Sequence, residues 1–352
     1  MIEGKHVLVT GGTGSLGRTL VKRLLSGREG LPASVTVFSR DEAKQDQFRQ
    51  ELMGTGVSTD EVIYKVARDR VRFRIGSVTD RSSLAVAMRP AQIVFHAAAL
   101  KQVPSCEYQP VEAVRTNIDG AANVIDIIAA ERLAVEVVVG VSTDKACKPV
   151  NVMGMTKAIQ ERVFVEANLR VPGTRFVLAR YGNVLASRGS VIPLFHQQIA
   201  AGGPLTITTP LMTRFFMSLE QAVDTVLEAM RHAAPGEIVI PRVPSALLVD
   251  VAAALIGDRP VEVRTIGIRP GEKVHEALVS EEEASRTLIR GNYLVICPML
   301  PQLLRGEGTP WEGGEYASST DLLDVDGVRR MLETNRLRIE DLPFSRAEEL
   351  LR

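Results

Sequence analysis

Lys5-His-Val-Leu-Val-Thr-Gly-Gly-Thr-Gly-Ser-Leu-Gly17 is the stretch that decides the fold. Its first half is apolar and β-prone, the pattern of a short buried strand, and Leu20, Leu24 and Leu25 behind it recur at helical spacing. Strand, glycine loop and helix in that order let backbone N–H groups and a helix N-terminus hold a pyrophosphate. The candidate contacts are Gly11, Thr13, Gly14, Ser15, Leu16 and Gly17. A glycine triplet also serves purely structural turns. Its place straight after the first strand of an alternating β/α chain favours dinucleotide binding.

That alternation continues. Strands are expected at Val35–Phe38, Val71–Ile75, Ile93–His96, Val135–Gly140 and Arg175–Ala179, with helices at Glu42–Met53, Asp80–Met88 and Val114–Ala130. The expected fold is α/β: a Rossmann-type doubly wound parallel sheet with a smaller C-terminal substrate-binding domain. Residues 1–182 form the dinucleotide domain, with part of 205–235 returning to it. Residues 183–300 form the substrate domain, and 301–352 a tail with a packing or oligomer role. The second strand ends in Ser39-Arg40-Asp41, with Lys44 a turn onward. A hydroxyl and two cations suit a 2′-phosphate, so NADP is preferred to NAD, although Asp41 reading a free ribose is the alternative. Ala97 and Ala98 would let a cofactor's backbone approach closely, or simply pack. Asn117 either braces the site's backbone or faces solvent.

The chemistry is expected in Val141-Ser-Thr-Asp-Lys-Ala-Cys-Lys-Pro-Val-Asn-Val-Met-Gly-Met-Thr-Lys157. Thr143, Asp144 and Lys145 place a hydroxyl, a carboxylate and an amine behind a strand, which suits proton transfer. Met153 and Lys157 stand four apart, on one face of a helix. A thioether neither gives nor accepts a proton, so Met153 offers only shape. A surface ion pair closing a loop is the plain alternative for Asp144 and Lys145. In the later half Arg188, Arg214, Arg242 and Arg269 resemble a set built for a diphosphate, since guanidinium forks match phosphate oxygens, although any one of them suits an ordinary surface.

The 352 residues carry 42 basic and 42 acidic side chains, 45% apolar and 24% charged residues. Such a chain affords a large core, and its charge balance argues against a nucleic-acid binder. No apolar run approaches the ~20 residues that span a bilayer, so no membrane association is expected. Cys106, Cys147 and Cys297 are widely spaced, and the five histidines form no ligand cluster, so neither disulfide nor metal is expected. With no basic-then-apolar leader, the chain reads as cytoplasmic.

With these residues in hand, the chain resembles the extended short-chain dehydrogenases/reductases, and within them is similar to the UDP-N-acetylglucosamine 4,6-dehydratases. The likeness lies in Gly11–Gly17, His96-Ala-Ala-Ala-Leu-Lys-Gln-Val103, Thr116-Asn-Ile, Ser142-Thr-Asp-Lys-Ala146, Arg180-Tyr-Gly-Asn-Val184, Met212-Thr-Arg-Phe215 and Gly271-Glu-Lys273. Most of the superfamily has tyrosine at the position of Met153, whereas this subfamily carries methionine. Where relatives read Gly-Asp-Val-x-Asp near the adenine, this chain has Gly76-Ser77-Val-Thr-Asp80. The resemblance implies tightly held NADP, a UDP-sugar substrate (UDP-GlcNAc) and a homo-oligomer. It also implies Lys145 as the base at C5, Asp144 as the acid for the C6 oxygen, Thr143 on the C4 oxygen and Lys157 on the nicotinamide ribose. Lys101, Asn183, Arg188, Arg214, Arg269 and Glu272 are the candidate substrate contacts. Two other readings stand beside it: a UDP-sugar 4-epimerase, and a catalytically silent NADP-binding sensor or scaffold.

Overall fold

Seven parallel strands run inward from one edge of a ten-stranded sheet in a computed structural model that describes residues 1–54, 69–185, 190–303 and 306–341. They are β1 (His6–Thr10), β2 (Ser34–Ser39), β3 (Val71–Ile75), β4 (Ile93–His96), β5 (Val137–Thr143), β6 (Arg175–Tyr181) and β7 (Ile238–Pro241), in the order β3-β2-β1-β4-β5-β6-β7. β8 (Thr287–Arg290), β9 (Tyr293–Ile296) and β10 (Thr309–Pro310) extend the β7 edge antiparallel, in the order β9-β8-β10. The strands of the centre are almost continuously buried, as a sheet covered on both faces requires. Helices α1 (Ser15–Leu25), α2 (Glu42–Leu52), α3 (Arg81–Met88), α4 (Gly120–Glu131), α5 (Val152–Arg170) and α6 (Leu219–His232) flank the sheet. α1 packs against α6, while α3, α4 and α5 form a row. Strand order reverses between β1 and β4, which opens a crevice at their C-terminal ends.

The expected α/β class and parallel sheet are what the chain forms. Three details differ. β5 runs on through Ser142 and Thr143, so these residues end the strand rather than follow it. The single helix expected over 114–130 is broken by a π turn at Arg115–Asp119. The division at residue 183 also differs. Ile238–Pro241 and the antiparallel strands return to the main sheet because these apolar strands need both faces covered. The tail in turn gives helix Val325–Thr334 to a second core, where Val328 and Leu332 are buried with Leu185, Phe195, Phe216, Val251 and Leu255. Within residues 205–235, part of which is expected to return to the dinucleotide domain, Leu219–His232 packs on α1 and the main sheet, while Leu205, Ile207, Met212 and Phe216 sit in that second core.

One charged cluster runs through the interior. Arg180, on β6, is 1% exposed and donates to Glu161 on α5 (2.9 and 2.6 Å) and to Glu283 (2.7 and 2.9 Å). It also donates to the Leu278 carbonyl. Burial pushes Glu283 up, but the Arg180 guanidinium more than reverses this and holds it at about 2. Arg180→Met leaves buried Glu161 without its cation and Glu283 with Arg286 alone, at 3.5 Å. Urea unfolding should show a loss of about 3–5 kcal/mol, and a loss under about 1 kcal/mol would contradict this account.

Candidate active site

The first wall of the crevice is the glycine loop. Gly11 has φ +67°, and a Cβ there would lie 2.8 Å from backbone atoms of Ala97 and Ala98, so β1 and β4 come together only over glycine. A Cβ on Gly17 would lie 2.6 Å from the Gly12 Cα. Gly14 is different: at φ −72° a Cβ would meet only the Gly11 carbonyl, at 3.3 Å. Gly14 caps α1 without a side chain, and no acidic residue lies in the helix's first turn. This is the donor set a pyrophosphate fits.

Below the loop, Thr10 Oγ1 lies 3.1 Å from His96 Nδ1 and accepts from the Ala98 N–H at 3.3 Å. His96 is wholly buried, and burial, reinforced by the Lys157 charge, pulls it down to about 3, so the ring is neutral. Asn117 sits in the π turn, a geometry often found at functional sites. It accepts from Leu100 N–H (2.8 Å) and donates to Leu100 O (3.0 Å) and Thr156 Oγ1 (2.9 Å). It therefore braces the backbone after β4, the inward reading of the two.

The second wall is the end of β5. Ser142 donates to Glu161 at 2.6 Å, tying the strand to α5. Asp144–Ala146 form a 3₁₀ turn laid against the start of α5, where a Cβ on Gly154 would come within 2.2 Å of the Lys145 carbonyl. Asp144 is 1% exposed. Its Oδ1 accepts from Thr143 Oγ1 (2.8 Å) and Lys145 Nζ (3.2 Å), while its Oδ2 is buried without a hydrogen-bond partner. Lys145 Nζ also stands 3.1 Å from Glu276 Oε1. Burial alone would lower Lys145, but Asp144 and Glu276 outweigh it and raise its pKa above that of an ordinary lysine. Among the described residues Lys157 has no carboxylate within ion-pair distance. It donates to Val141 O and Gln160 Oε1, both at 2.5 Å, and burial lowers it to about 8 against a smaller opposing effect of Glu161. Met153 packs with Cys106 and Ala113 in a small apolar cluster.

A family model described as "polysaccharide biosynthesis protein" matches residues 7–298. The chain belongs to that family. It is 42% identical over 304 residues, 85% of each chain, to a UDP-N-acetylglucosamine 4,6-dehydratase (inverting) of Campylobacter jejuni. It is 45% identical over 291 residues, 81% of each chain, to a UDP-glucose 4-epimerase of Rickettsia conorii. Among solved structures it is similar to Pen from Bacillus thuringiensis, with 33% identity, a TM-score of 0.84, and 95% of this chain and 99% of that one covered. DesIV from Streptomyces venezuelae, a dTDP-glucose 4,6-dehydratase, shares the fold at 21% identity and a TM-score of 0.64, covering 76% of this chain and 86% of its own.

In this chain several expected contacts have intramolecular partners. Lys44 pairs with Asp41 (2.5 Å), the cap of α2, and Ser39 Oγ accepts from Gln45, because helix capping and strand ends compete for the same short side chains. Arg40 is exposed at the end of β2, with no hydrogen bond or ion pair among the described residues. Arg214, expected on a diphosphate, is buried and donates to the Thr213, Val274 and Lys273 carbonyls. The ring of backbone oxygens around it takes up the fork. Lys101 and Arg269 are exposed, Glu272 accepts from Thr208 at 3.5 Å, and Asn183 lies in a short strand beside Phe216. Arg188 lies outside the described residues. Ser77 Oγ lies 2.7 Å from Thr79 Oγ1 in a local turn. Glu276 is the residue the sequence reading missed. It stands three residues past Lys273 in a quoted run, but only the fold brings it to Lys145.

Gly14 and Gly17 should separate by stability. Gly17→Ala should lower urea-unfolding stability by about 1–3 kcal/mol, and Gly14→Ala should stay within about 0.5 kcal/mol of the parent. Equal losses would show that Gly14 serves packing rather than access.

Proposed function

We propose that this chain is a UDP-N-acetylglucosamine 4,6-dehydratase that works with tightly held NADP. The observation that carries this reading is the buried Asp144–Lys145 pair at the C-terminal end of β5, beside the dinucleotide crevice, with Asp144 Oδ2 unpaired. The Campylobacter relatives, at 41–42% identity, support the substrate. Arg40 at the end of β2 supports NADP over NAD. When bound, the nicotinamide would take a hydride from sugar C4 and return it at C6.

The protein's own part is to place and move protons. Gly11, Thr13, Gly14, Ser15, Leu16 and Gly17 would hold the pyrophosphate, and Lys157 the nicotinamide ribose. Thr143, at the crevice edge, would hold the C4 oxygen. Asp144 and Lys145 share one proton across 3.2 Å. Its transfer to Asp144 creates an acid for the departing C6 hydroxyl and a base for the C5 proton in a single step. The resting arrangement, with Lys145 held as an ammonium, is one proton shift from the working one.

We read the protein as a cytoplasmic homo-oligomer. Its thiols at Cys106, Cys147 and Cys297 are buried, no helix of the described residues is long and apolar enough to cross a membrane, and Tyr108, Val111, Met155 and Ile159 expose apolar surface. The second reading is a UDP-sugar 4-epimerase, favoured by the 45% identical Rickettsia relative. It shares C4 oxidation but needs no acid at C6.

Incubation with UDP-GlcNAc should give a product lighter by one water, with a new C6 methyl signal in the proton NMR spectrum. A product of unchanged mass would mean epimerisation. Lys145→Met and Asp144→Asn should each lower water loss at least ~100-fold while leaving NADP affinity within about threefold. Parental turnover in either variant would overturn the assignment.

A further inference from the structure

Glu276 is 2% exposed, and its carboxylate is divided between two cations. Oε1 lies 3.1 Å from Lys145 Nζ, and Oε2 lies 3.7 Å from Lys273 Nζ without a hydrogen bond. A buried carboxylate oxygen left without a donor is costly unless it is used. Several segments combine to hold it there. The Glu276 N–H donates to Ser318 Oγ (3.0 Å), Ser318 lies 2.7 Å from Thr213 Oγ1, and Thr213 lies 2.8 Å from His275 Nδ1. Arg214 holds the carbonyls of Lys273 and Val274 just before it, and Lys273 itself donates to Cys147 O at 2.6 Å. The charged groups acting on Lys145 are thus Asp144 from its own turn, Glu276 from this loop, and Arg214, whose charge opposes protonation.

We propose that Glu276 is a positioning residue that acts through Lys145 as its proton sink, so that Lys145 serves as a base twice in each turnover. The proposal rests on the dehydratase reading above. Dehydration releases two protons from the sugar, one from the C4 hydroxyl oxygen and one from C5, and Met153 can take neither. The cycle begins with the shared proton on Asp144. Neutral Lys145 takes the O4 proton as the hydride leaves C4, then passes it across 3.1 Å to Glu276. Neutral again, Lys145 takes the C5 proton. The C5–H electron pair becomes the C5–C6 double bond, the C6–O pair leaves with oxygen, and Asp144 protonates it to water. Lys145 gives its proton back to C5 as the hydride arrives at C6. The proton on Glu276 then returns through Lys145 to Asp144. Protons and electrons balance over the cycle without an outside acid or oxidant. Without Glu276, Lys145 would still hold the O4 proton when C5 must be deprotonated.

The test uses the full-length holoenzyme with UDP-GlcNAc and the variants Glu276→Gln and Glu276→Asp. In parallel, trace acetylation of Lys145 across a pH series, read by peptide mass, reports its titration with or without turnover. Glu276→Gln should lose kcat by about 100-fold with KM within about threefold, Glu276→Asp should recover part of it, and the Lys145 labelling midpoint should move to lower pH in the Gln variant. Near-parental kcat in Glu276→Gln, or an unmoved midpoint, would overturn the proposal. If the Gln variant does not fold, a parental midpoint no higher than that of an ordinary lysine would overturn it, and a raised midpoint with partial activity in Glu276→Asp would support it. If the parent protein releases no water from UDP-GlcNAc, the dehydratase reading fails. The midpoint shift then decides separately whether Glu276 governs Lys145.

Discussion

A single guanidinium holds the architecture of the site together. Arg180 sits on β6 with Glu161 of α5 on one side and Glu283 on the other, and nearly all of its hydrogen-bonding capacity is used by these carboxylates and one carbonyl. Ser142 hangs from the same Glu161, so the end of β5 is fixed by the same cluster. Asp144 follows two residues later. An ion cluster of this kind adds little net stability over apolar packing. What it contributes is register: strand, helix and the segment approaching Glu283 can meet in only one arrangement that leaves no charge unpaired.

The site itself carries the opposite condition. Asp144 Oδ2 and Glu276 Oε2 are both buried without a hydrogen-bond donor. Two such atoms around one lysine are a local cost that the folded protein tolerates. Met153 lies in an apolar cluster with Cys106 and Ala113 rather than in this polar group. The helix that carries it supplies shape there and the ammonium of Lys157 one turn on.

Much of this was legible in the chain. The glycine loop is legible because strand, loop and helix are contiguous in the chain, and Gly17 meets Gly11 and Gly12 a few residues away. Asp144 and Lys145 are legible because they are adjacent and follow an apolar run. A guanidinium suits a phosphate and a cage of carbonyls equally well, and only the fold shows that carbonyls of Thr213, Lys273 and Val274 surround Arg214. Lys44 likewise finds Asp41 three residues earlier as a partner. Glu276 was hidden because its meaning comes from Lys145, which no local pattern connects to it. The return of Ile238–Pro241 to the main sheet was hidden likewise, as a short apolar strand does not announce its neighbours.

Arg180 and Glu283 lie 103 residues apart in the chain. As the protein is synthesised, the glycine loop, β5 and the Asp144–Lys145 turn all emerge before either Glu276 or Glu283 exists. An N-terminal fragment ending before them would carry a core guanidinium with only one of its two carboxylates, and a lysine facing only its neighbour. Domain-by-domain folding on the ribosome is therefore incomplete for this sheet. The early strands wait on the segment that carries Glu276 and Glu283, and a chain interrupted before it has the parts of the site without a settled interior to hold them.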